Sequence, residues 1–299
     1  MTSRYEVTHR TAYSYDEAVS VSYGVLHITP RTTATQVCES TELVIEPTPE
    51  DVSDRIDYFG NRSAWFALHT PHRHLTLTAS SIVSTTPAAT VLGGDGPPWE
   101  EVRDDLERLA GEDAVTVFEH RLASPRIDAA PGLRDYAQAS FPARRPVVEG
   151  LADLVHRIHA DFAYAPGHTT VRTTVEEVLA ARAGVCQDFA HLAIGCLRSL
   201  GLPARYVSGY LETRPRSGQD RLVGADQSHA WMSAYVPGVG WVDADPTNNR
   251  LVTDRYVTTA WGRDYGDVPP VRGVIYARGS TSELSVSVDV RRLPPGPVI

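Results

Sequence analysis

The chain has 299 residues, of which 42% are hydrophobic and 22% are charged, proportions typical of a folded globular protein. They exclude a long disordered chain, collagen and a disulfide-dense miniprotein. The 28 basic residues, all of them arginine, are outnumbered by 37 acidic ones, and the resulting net charge of -9 predicts neither nucleic acid nor a membrane as a partner.

In residues 3–85, the positions expected to be buried alternate with polar neighbours. This pattern predicts strands with one buried face, because successive side chains of a strand point to opposite sides. The alternating positions are Tyr5, Val7, His9, Thr11, Tyr13, Leu75, Leu77 and Ala79. Short strands without a helical period are typical of a β-sandwich. We therefore assign residues 1–85 to an N-terminal β domain.

A stretch rich in proline and glycine, residues 85–98, follows these strands and is interpreted as a linker. Helical patterns begin after it, in WEEVRDDLERLA and GLRDYAQASF, so residues 86–150 are assigned to a linker and helical segment. A further helix is predicted for VEGLADLVHRIHADF, because Leu151, Leu154 and Ile158 fall on one helical face.

The clearest helix lies in GVCQDFAHLAIGCLRSLG, where apolar residues recur at helical spacing from Phe189 to Leu200. Extending this stripe backwards by one turn reaches Cys186, which places the thiol in the first turn on the buried side. Three strand-like segments follow, ARYVSGYL, SHAWMSAYV and GWVDADPT, and then an alternating run, SELSVSVDV. Helices followed by an antiparallel sheet predict an α+β domain for residues 151–299.

Cys186 has the setting of a nucleophile, because the first turn of a helix favours a thiolate through its free N–H groups and its dipole. Gly184 allows a tight entry of the backbone, and the Cys186 amide can form half of an oxyanion hole. The alternative is a plain core cysteine, which is how we interpret Cys196 and Cys38.

A cysteine nucleophile needs a histidine within hydrogen-bonding reach and a group that orients it. His191 is nearest in sequence but lies about 140° away from Cys186 around the helix, so it is expected to face away. His229 precedes Asp245 by sixteen residues, a spacing that suits adjacent antiparallel strands joined by the PGVG turn, with both side chains facing the helix. Asp243 has the same strand parity as Asp245, and spacing alone does not choose between them.

Four motifs in order, RAGVCQDFAHL, GLPARYVSGYL, SHAW and GWVDADPT, resemble the core of the transglutaminase-like superfamily of cysteine enzymes. Upstream, YEVTHRTAYSY, ITPR and DYFGN resemble the N-terminal domain of many bacterial members, so the similarity covers about residues 4–85 and 150–250. The resemblance implies a papain-like α+β core after the β-sandwich. It also implies Cys186 as nucleophile, His229 as base and Asp245 as the orienting carboxylate.

The chain departs from the cross-linking branch of this family, which places a tryptophan upstream of the cysteine to support the oxyanion. No tryptophan lies between Trp99 and Trp231. Tyr164 is a candidate substitute donor, although ordinary packing also explains it. Neither an EF-hand loop nor the extra β-domains of the calcium-dependent animal enzymes is recognised, and we expect no cofactor and no metal.

The expected reaction is acyl transfer from a peptide or protein substrate through a thioester. Hydrolysis is favoured, because the upstream tryptophan is missing and an intracellular cross-linker would endanger its host. Transfer to an amine and a non-catalytic peptide-binding scaffold are the alternatives. The substrate, the oligomeric state and the role of the N-terminal domain are left open.

The expected location is the cytoplasm. Three cysteines form no disulfide framework in a chain of this length, which suits a reducing compartment. The first residues lack the apolar stretch of a secretory signal, and no segment approaches the ~20 apolar residues of a membrane span.

Overall fold

A computed structural model describes residues 2–87, 96–109, 112–214, 217–218, 221–222, 224–225, 227–277 and 281–294, without the side chains of residues 112 and 113. The N-terminal region forms six antiparallel strands, as its alternating pattern predicts. They are β1 (Ser3–Val19), β2 (Val21–Leu26), β3 (Gln36–Glu46), β4 (Asp51–Ile56), β5 (Arg62–Leu68) and β6 (His72–Thr85).

These strands form two sheets that pack face to face. In one sheet β1 and β3 flank β6, and in the other β2 and β4 flank β5. Leu26, Phe66 and Leu68 of the second sheet pack in one core with Leu75 and Leu77 of the first. The predicted β-sandwich is therefore confirmed.

Helices follow the sandwich. The segment predicted as a linker, residues 85–98, lies partly outside the described residues, and the first helix begins at Trp99. The helices are α1 (Trp99–Asp105), a short 3₁₀ helix (Leu106–Arg108), α2 (Glu112–Glu119), α3 (Leu133–Gln138), α4 (Val147–Asp161), α5 (Val175–Ala181) and α6 (Cys186–Ser199).

Helix α6 is the predicted amphipathic helix and lies at the centre of the second core. It ends just before Gly201, whose φ of 83° is the left-handed conformation that favours glycine after a helix. The apolar face of α6 packs against α3, α4 and one face of a five-stranded sheet. The α+β arrangement is confirmed.

The five-stranded sheet has the order β12-β11-β10-β9-β13 and is antiparallel throughout. A separate parallel pair precedes α6. The strands are β7 (Ala163–Tyr164) and β8 (Ala183–Gly184) in that pair, and β9 (Ala204–Leu211), β10 (His229–Val236), β11 (Gly240–Asp245), β12 (Arg250–Leu251) and β13 (Tyr256–Gly262) in the sheet.

The body of α6 packs against Ala230, Met232 and Ala244 on one face of this sheet. Because side chains alternate along a strand, His229 and Asp245 belong to the opposite face. The expectation that both side chains face the helix is therefore wrong for the body of α6, and at its first turn Cys186 lines one cavity with His229.

The last two strands return to the sandwich. β14 (Val271–Tyr276) pairs with β2, and β15 (Ser282–Arg292) pairs with β1 over eleven residue pairs, so each sandwich sheet has four strands. The predicted division, which assigns residues 151–299 to one catalytic domain, therefore differs from the strand pairing. Alternation in SELSVSVDV identified a strand but carried no information about its partner.

The sandwich and the five-stranded sheet also share a core. The buried residues that join them are Tyr5, Val7, Val83, Tyr210, Val257, Val288 and Val290. At the same junction Glu212 is fully buried and accepts hydrogen bonds from Arg255 at 2.9 Å and Arg292 at 2.8 Å. The first and last strands are thereby fixed against the sheet that carries His229.

Candidate active site

The backbone enters α6 through a tightly constrained turn. A Cβ at Gly184 would lie 2.8 Å from the Asp188 side chain, so only glycine fits there. The Asp188 carboxylate accepts hydrogen bonds from the Val185 amide at 2.8 Å and the Thr169 hydroxyl at 2.6 Å. Burial raises the pKa of Asp188 against the opposing effect of these hydrogen bonds. The turn fixes the position of Cys186 at the start of the helix.

Cys186 is half-buried and is the first residue of α6, where the backbone N–H groups have no partner within the helix. It lines a cavity of about 230 Å³ together with His229. The other two cysteines are not among the residues that line this cavity. Burial raises the pKa of Cys196 to about 12, and it also raises that of Cys38, which lies in the sandwich strand β3.

His229 and Asp245 form a buried hydrogen bond. His229 Nε2 donates to Asp245 Oδ2 over 2.8 Å, and both side chains are fully enclosed. Oδ2 also accepts from Asn248 Nδ2 at 2.7 Å and from the Tyr256 hydroxyl at 2.9 Å. Oδ1 accepts from the backbone amides of Thr247 and Asn248. Burial opposes the charge, but His229 and these hydrogen bonds lower the pKa of Asp245.

The other ring nitrogen, His229 Nδ1, faces the reacting side of the site. Burial disfavours the charged imidazole, yet the negative charges of Asp245 and Cys186 outweigh it and raise the pKa of His229 to about 10. Nδ1 makes no well-aligned hydrogen bond within the described part of the chain. Such loose geometry is common in unliganded cysteine–histidine pairs.

Trp231 supports the histidine from the same face of β10. Its ring centroid lies 6.3 Å from that of His229 with an interplanar angle of 28°. It meets the Tyr256 ring edge-on at 5.3 Å. A Cβ at Gly209 would lie 2.2 Å from the Val257 carbonyl oxygen and 2.5 Å from the Trp231 indole, so only glycine fits there. No sequence motif indicated a role for Tyr256.

The two candidate carboxylates, Asp243 and Asp245, have different partners in the structure. Asp243 lies opposite Ser233 in the strand pairing, and Arg205 is the charged group that acts on it. Its pKa is raised by burial. The hydrogen bond from His229 goes to Asp245 instead. Spacing did not choose between the two carboxylates, and the structure places Asp245 beside the imidazole.

His191 is directed away from the thiol, as its helical position predicts. Its Nε2 accepts a hydrogen bond from the Tyr265 amide at 3.1 Å, and burial lowers its pKa to about 4. The imidazole is therefore neutral at neutral pH and acts as an acceptor inside the core.

Tyr164 lies close to the site. It is paired with Gly184, two residues before Cys186, and 40% of its surface is exposed. Burial, together with the nearby charges of Cys186 and Asp245, raises the pKa of Tyr164 to about 12. The phenol therefore keeps its proton at neutral pH and remains able to donate a hydrogen bond.

Within the described ranges, no group of three or more His, Cys, Asp or Glu side chains is placed to hold a metal ion. None of the helices in these ranges is both long and apolar enough to cross a membrane.

A thiol at a helix N-terminus, an imidazole and a buried carboxylate thus meet on an α+β scaffold, the arrangement of side chains used in cysteine acyl-transfer sites. Residues 135–246 match the transglutaminase-like superfamily, and residues 5–84 match the bacterial transglutaminase-like N-terminal region. The chain belongs to the transglutaminase-like superfamily. The predicted fold class, a sandwich followed by a transglutaminase-like core, is confirmed.

The chain is also similar to known proteins and to a solved structure. An uncharacterized protein of Mycobacterium tuberculosis is 49% identical over 97% of this chain and 93% of its own length. The crystal structure of a candidate cysteine protease from Cytophaga hutchinsonii superposes with a TM-score of 0.76 at 21% identity, covering 99% of this chain and 93% of that one. A protein-glutamine gamma-glutamyltransferase of Pseudomonas aeruginosa is 35% identical over 32% of this chain and 15% of its own length.

The buried His229–Asp245 pair predicts a pH-dependent stability. A histidine whose folded pKa of about 10 exceeds its unfolded value of about 6.5 stabilises the fold fully below about pH 6.5, and that stabilisation is lost as the pH rises toward 10. Asp245→Asn should therefore lower the unfolding free energy by about 3 kcal/mol near pH 6 and by less near pH 8.5. Denaturant unfolding of both proteins at the two pH values measures this, and equal losses would contradict it.

Proposed function

We propose that this protein is a cysteine enzyme that takes an acyl group from a peptide or amide substrate through a thioester. Cys186 is the nucleophile, His229 is the general base and acid, and Asp245 holds the imidazole in one tautomer. The observation that carries the proposal is the buried 2.8 Å hydrogen bond between His229 and Asp245, beside a thiol that lines the same cavity at a helix N-terminus.

In the first step the Cys186 sulfur attacks the substrate carbonyl carbon, and His229 Nδ1 holds the thiol proton. The oxyanion that forms is stabilised by the Cys186 amide, with the Tyr164 hydroxyl as the proposed second donor. When the carbon–nitrogen bond breaks, Nδ1 gives its proton to the leaving amine. The products are the free amine and the thioester on Cys186.

We assign the second step to water. His229 Nδ1 removes a proton from water, the oxygen attacks the thioester carbon, and the acid leaves as the thiol regains its proton. Hydrolysis is supported by the position of Trp99, which lies in α1 and donates its indole N–H to Pro142 O at 3.1 Å. That indole is engaged in packing, so Trp99 does not take the role that an upstream tryptophan has in the cross-linking branch of the family.

The proposal includes a peptide or protein substrate and a cytoplasmic location. All three cysteines are free, which suits a reducing compartment. Transfer to an amine is the competing second step, since a partial relative carries the name of a glutamyltransferase.

Product analysis separates the two second steps. Lysine-blocked casein peptides incubated with the enzyme and a millimolar primary amine should yield the free acid rather than the amine adduct, as measured by mass spectrometry. No covalent self-oligomers should form, because the chain contains no lysine to accept its own acyl group. Efficient amine incorporation that outcompetes water would overturn hydrolysis and establish transfer. The absence of both products and of any trapped thioester would favour a non-catalytic scaffold.

A further inference from the structure

One wall of the cavity beside Cys186 is built by the sandwich. Thr11 and Tyr13 on β1 line the cavity, and so do their direct cross-strand partners on β15, Val286 and Leu284. These four side chains lie on one face of one sheet, because they alternate along each strand and sit opposite each other across the pair. We name this set the β1–β15 wall.

The same face of β1 has a different neighbour at each end. Tyr5 and Val7 pack against Tyr210 of the five-stranded sheet, whereas Tyr15 packs inside the sandwich core. The stretch between these ends faces the cavity. From Tyr5 to Tyr15, this face of β1 therefore contacts first the core shared with the five-stranded sheet, then the candidate active site, and last the sandwich core.

The β1–β15 wall carries no charge. Among the described residues that line the cavity there is no Asp, Glu or Arg. His9, which precedes the wall on β1, is buried and bonds Thr11 Oγ1 through Nε2 at 2.8 Å, and burial lowers the pKa of His9 to about 4. It is therefore neutral at neutral pH and adds no charge to this side.

The mouth of the cavity exposes apolar surface. Leu284 is 58% exposed and Val286 is half-buried, although both belong to the face of the sheet that is otherwise covered. A cavity of about 230 Å³ is smaller than the pockets that hold drug-sized ligands, and its size suits one side chain of a larger substrate. Apolar surface of this kind gains free energy when an apolar group covers it.

We propose that the β1–β15 wall is a substrate subsite that receives an uncharged, apolar side chain of the acyl donor, adjacent to the carbonyl attacked by Cys186. This inference rests on the proposed function and adds a role for the sandwich. The N-terminal domain then selects the substrate, while the helix and the five-stranded sheet supply the reacting groups.

The test uses thiol reagents, so it needs no known substrate. Three probes that alkylate cysteine are compared by intact-protein and peptide mass spectrometry: iodoacetamide, N-benzyl chloroacetamide, and a chloroacetamide carrying a carboxylate. Each rate at Cys186 is divided by the rate of the same probe with free cysteine. The benzyl probe should show an advantage of about tenfold over the carboxylate probe.

The key variant is Leu284→Arg, and Ser285→Arg is its matched control. Ser285 is exposed on the opposite face of the same strand, so both variants add the same charge to the same strand. Leu284→Arg should remove most of the benzyl preference and accelerate the carboxylate probe, with both rates divided by the iodoacetamide rate at Cys186 in the same variant. Ser285→Arg should leave all three rates as in the wild type.

The outcomes separate the two proposals. If iodoacetamide alkylates Cys186 no faster than Cys38 in the wild type, the proposed function fails. If Cys186 is selectively alkylated but the benzyl and carboxylate probes react equally, or Leu284→Arg behaves as Ser285→Arg does, the subsite is overturned while the proposed function stands. Circular dichroism of both variants checks that the sheet is intact.

Discussion

Cys186→Ala is expected to reduce acyl transfer at least a thousandfold, because without a nucleophile no thioester forms. The remaining groups can only orient the substrate and stabilise the oxyanion. The measurement is the initial rate of acid release from a peptide that the wild-type protein hydrolyses. Cys38→Ala is the matched control, since that thiol lies in sandwich strand β3, and it should retain full activity.

Adding His229→Ala to Cys186→Ala should cost little more, because residues that act as one unit lose activity non-additively. Asp245→Asn alone should leave measurable activity. The thermal unfolding of Cys186→Ala should stay close to that of the wild type, since the side chain is only half-buried. Wild-type turnover by Cys186→Ala would show that the nucleophile is a different residue.

The central hairpin could be predicted because its information is local. The pattern of the two strands and the PGVG turn fixed an antiparallel pair, and the structure pairs Ala234 with Val242 as that requires. The choice between Asp243 and Asp245 could not be predicted from the same local pattern, because both residues have the same strand parity. Asp245 is the last residue of β11, where the amides of the following turn are free to bind a carboxylate.

The pairing of the last strand could not be predicted for a similar reason. Alternation identifies a strand and its buried face, but the partner is set by which apolar face needs cover elsewhere. Tyr5 pairs with Arg292, at the far end of the chain. The β1–β15 wall exists because these two strands pair, so no motif within either strand could predict the wall.

The roles of Trp231 and Tyr256 at the site could not be predicted from the sequence either, for two different reasons. Trp231 lies two residues after His229 in the chain, and this position does not separate a role beside the histidine from plain packing. Tyr256 reaches Asp245 from β13, which follows through the connection after β12 and carries no polar motif. Only the strand order brings its hydroxyl to the carboxylate.

Gly224→Ala is expected to reduce turnover about a hundredfold, because it displaces the base. A Cβ at Gly224 would lie 2.8 Å from His229 Nδ1, the nitrogen that must hold the proton of Cys186. Catalysis tolerates such displacement poorly, since a shift of about 1 Å costs on the order of a hundredfold. The rate of acid release and the alkylation of Cys186 by iodoacetamide should both fall.

Gly218→Ala separates this effect from backbone strain. Gly218 has a φ of 85° and Gly224 one of 84°, so an alanine at either position costs about the same 1–2 kcal/mol of left-handed strain. Among the described residues, however, no atom lies within 4 Å of a Cβ at Gly218. Both variants should therefore lose similar thermal stability, and only Gly224→Ala should lose activity. Equal losses of activity would mean that the conformation of the segment, rather than contact with His229, controls the site.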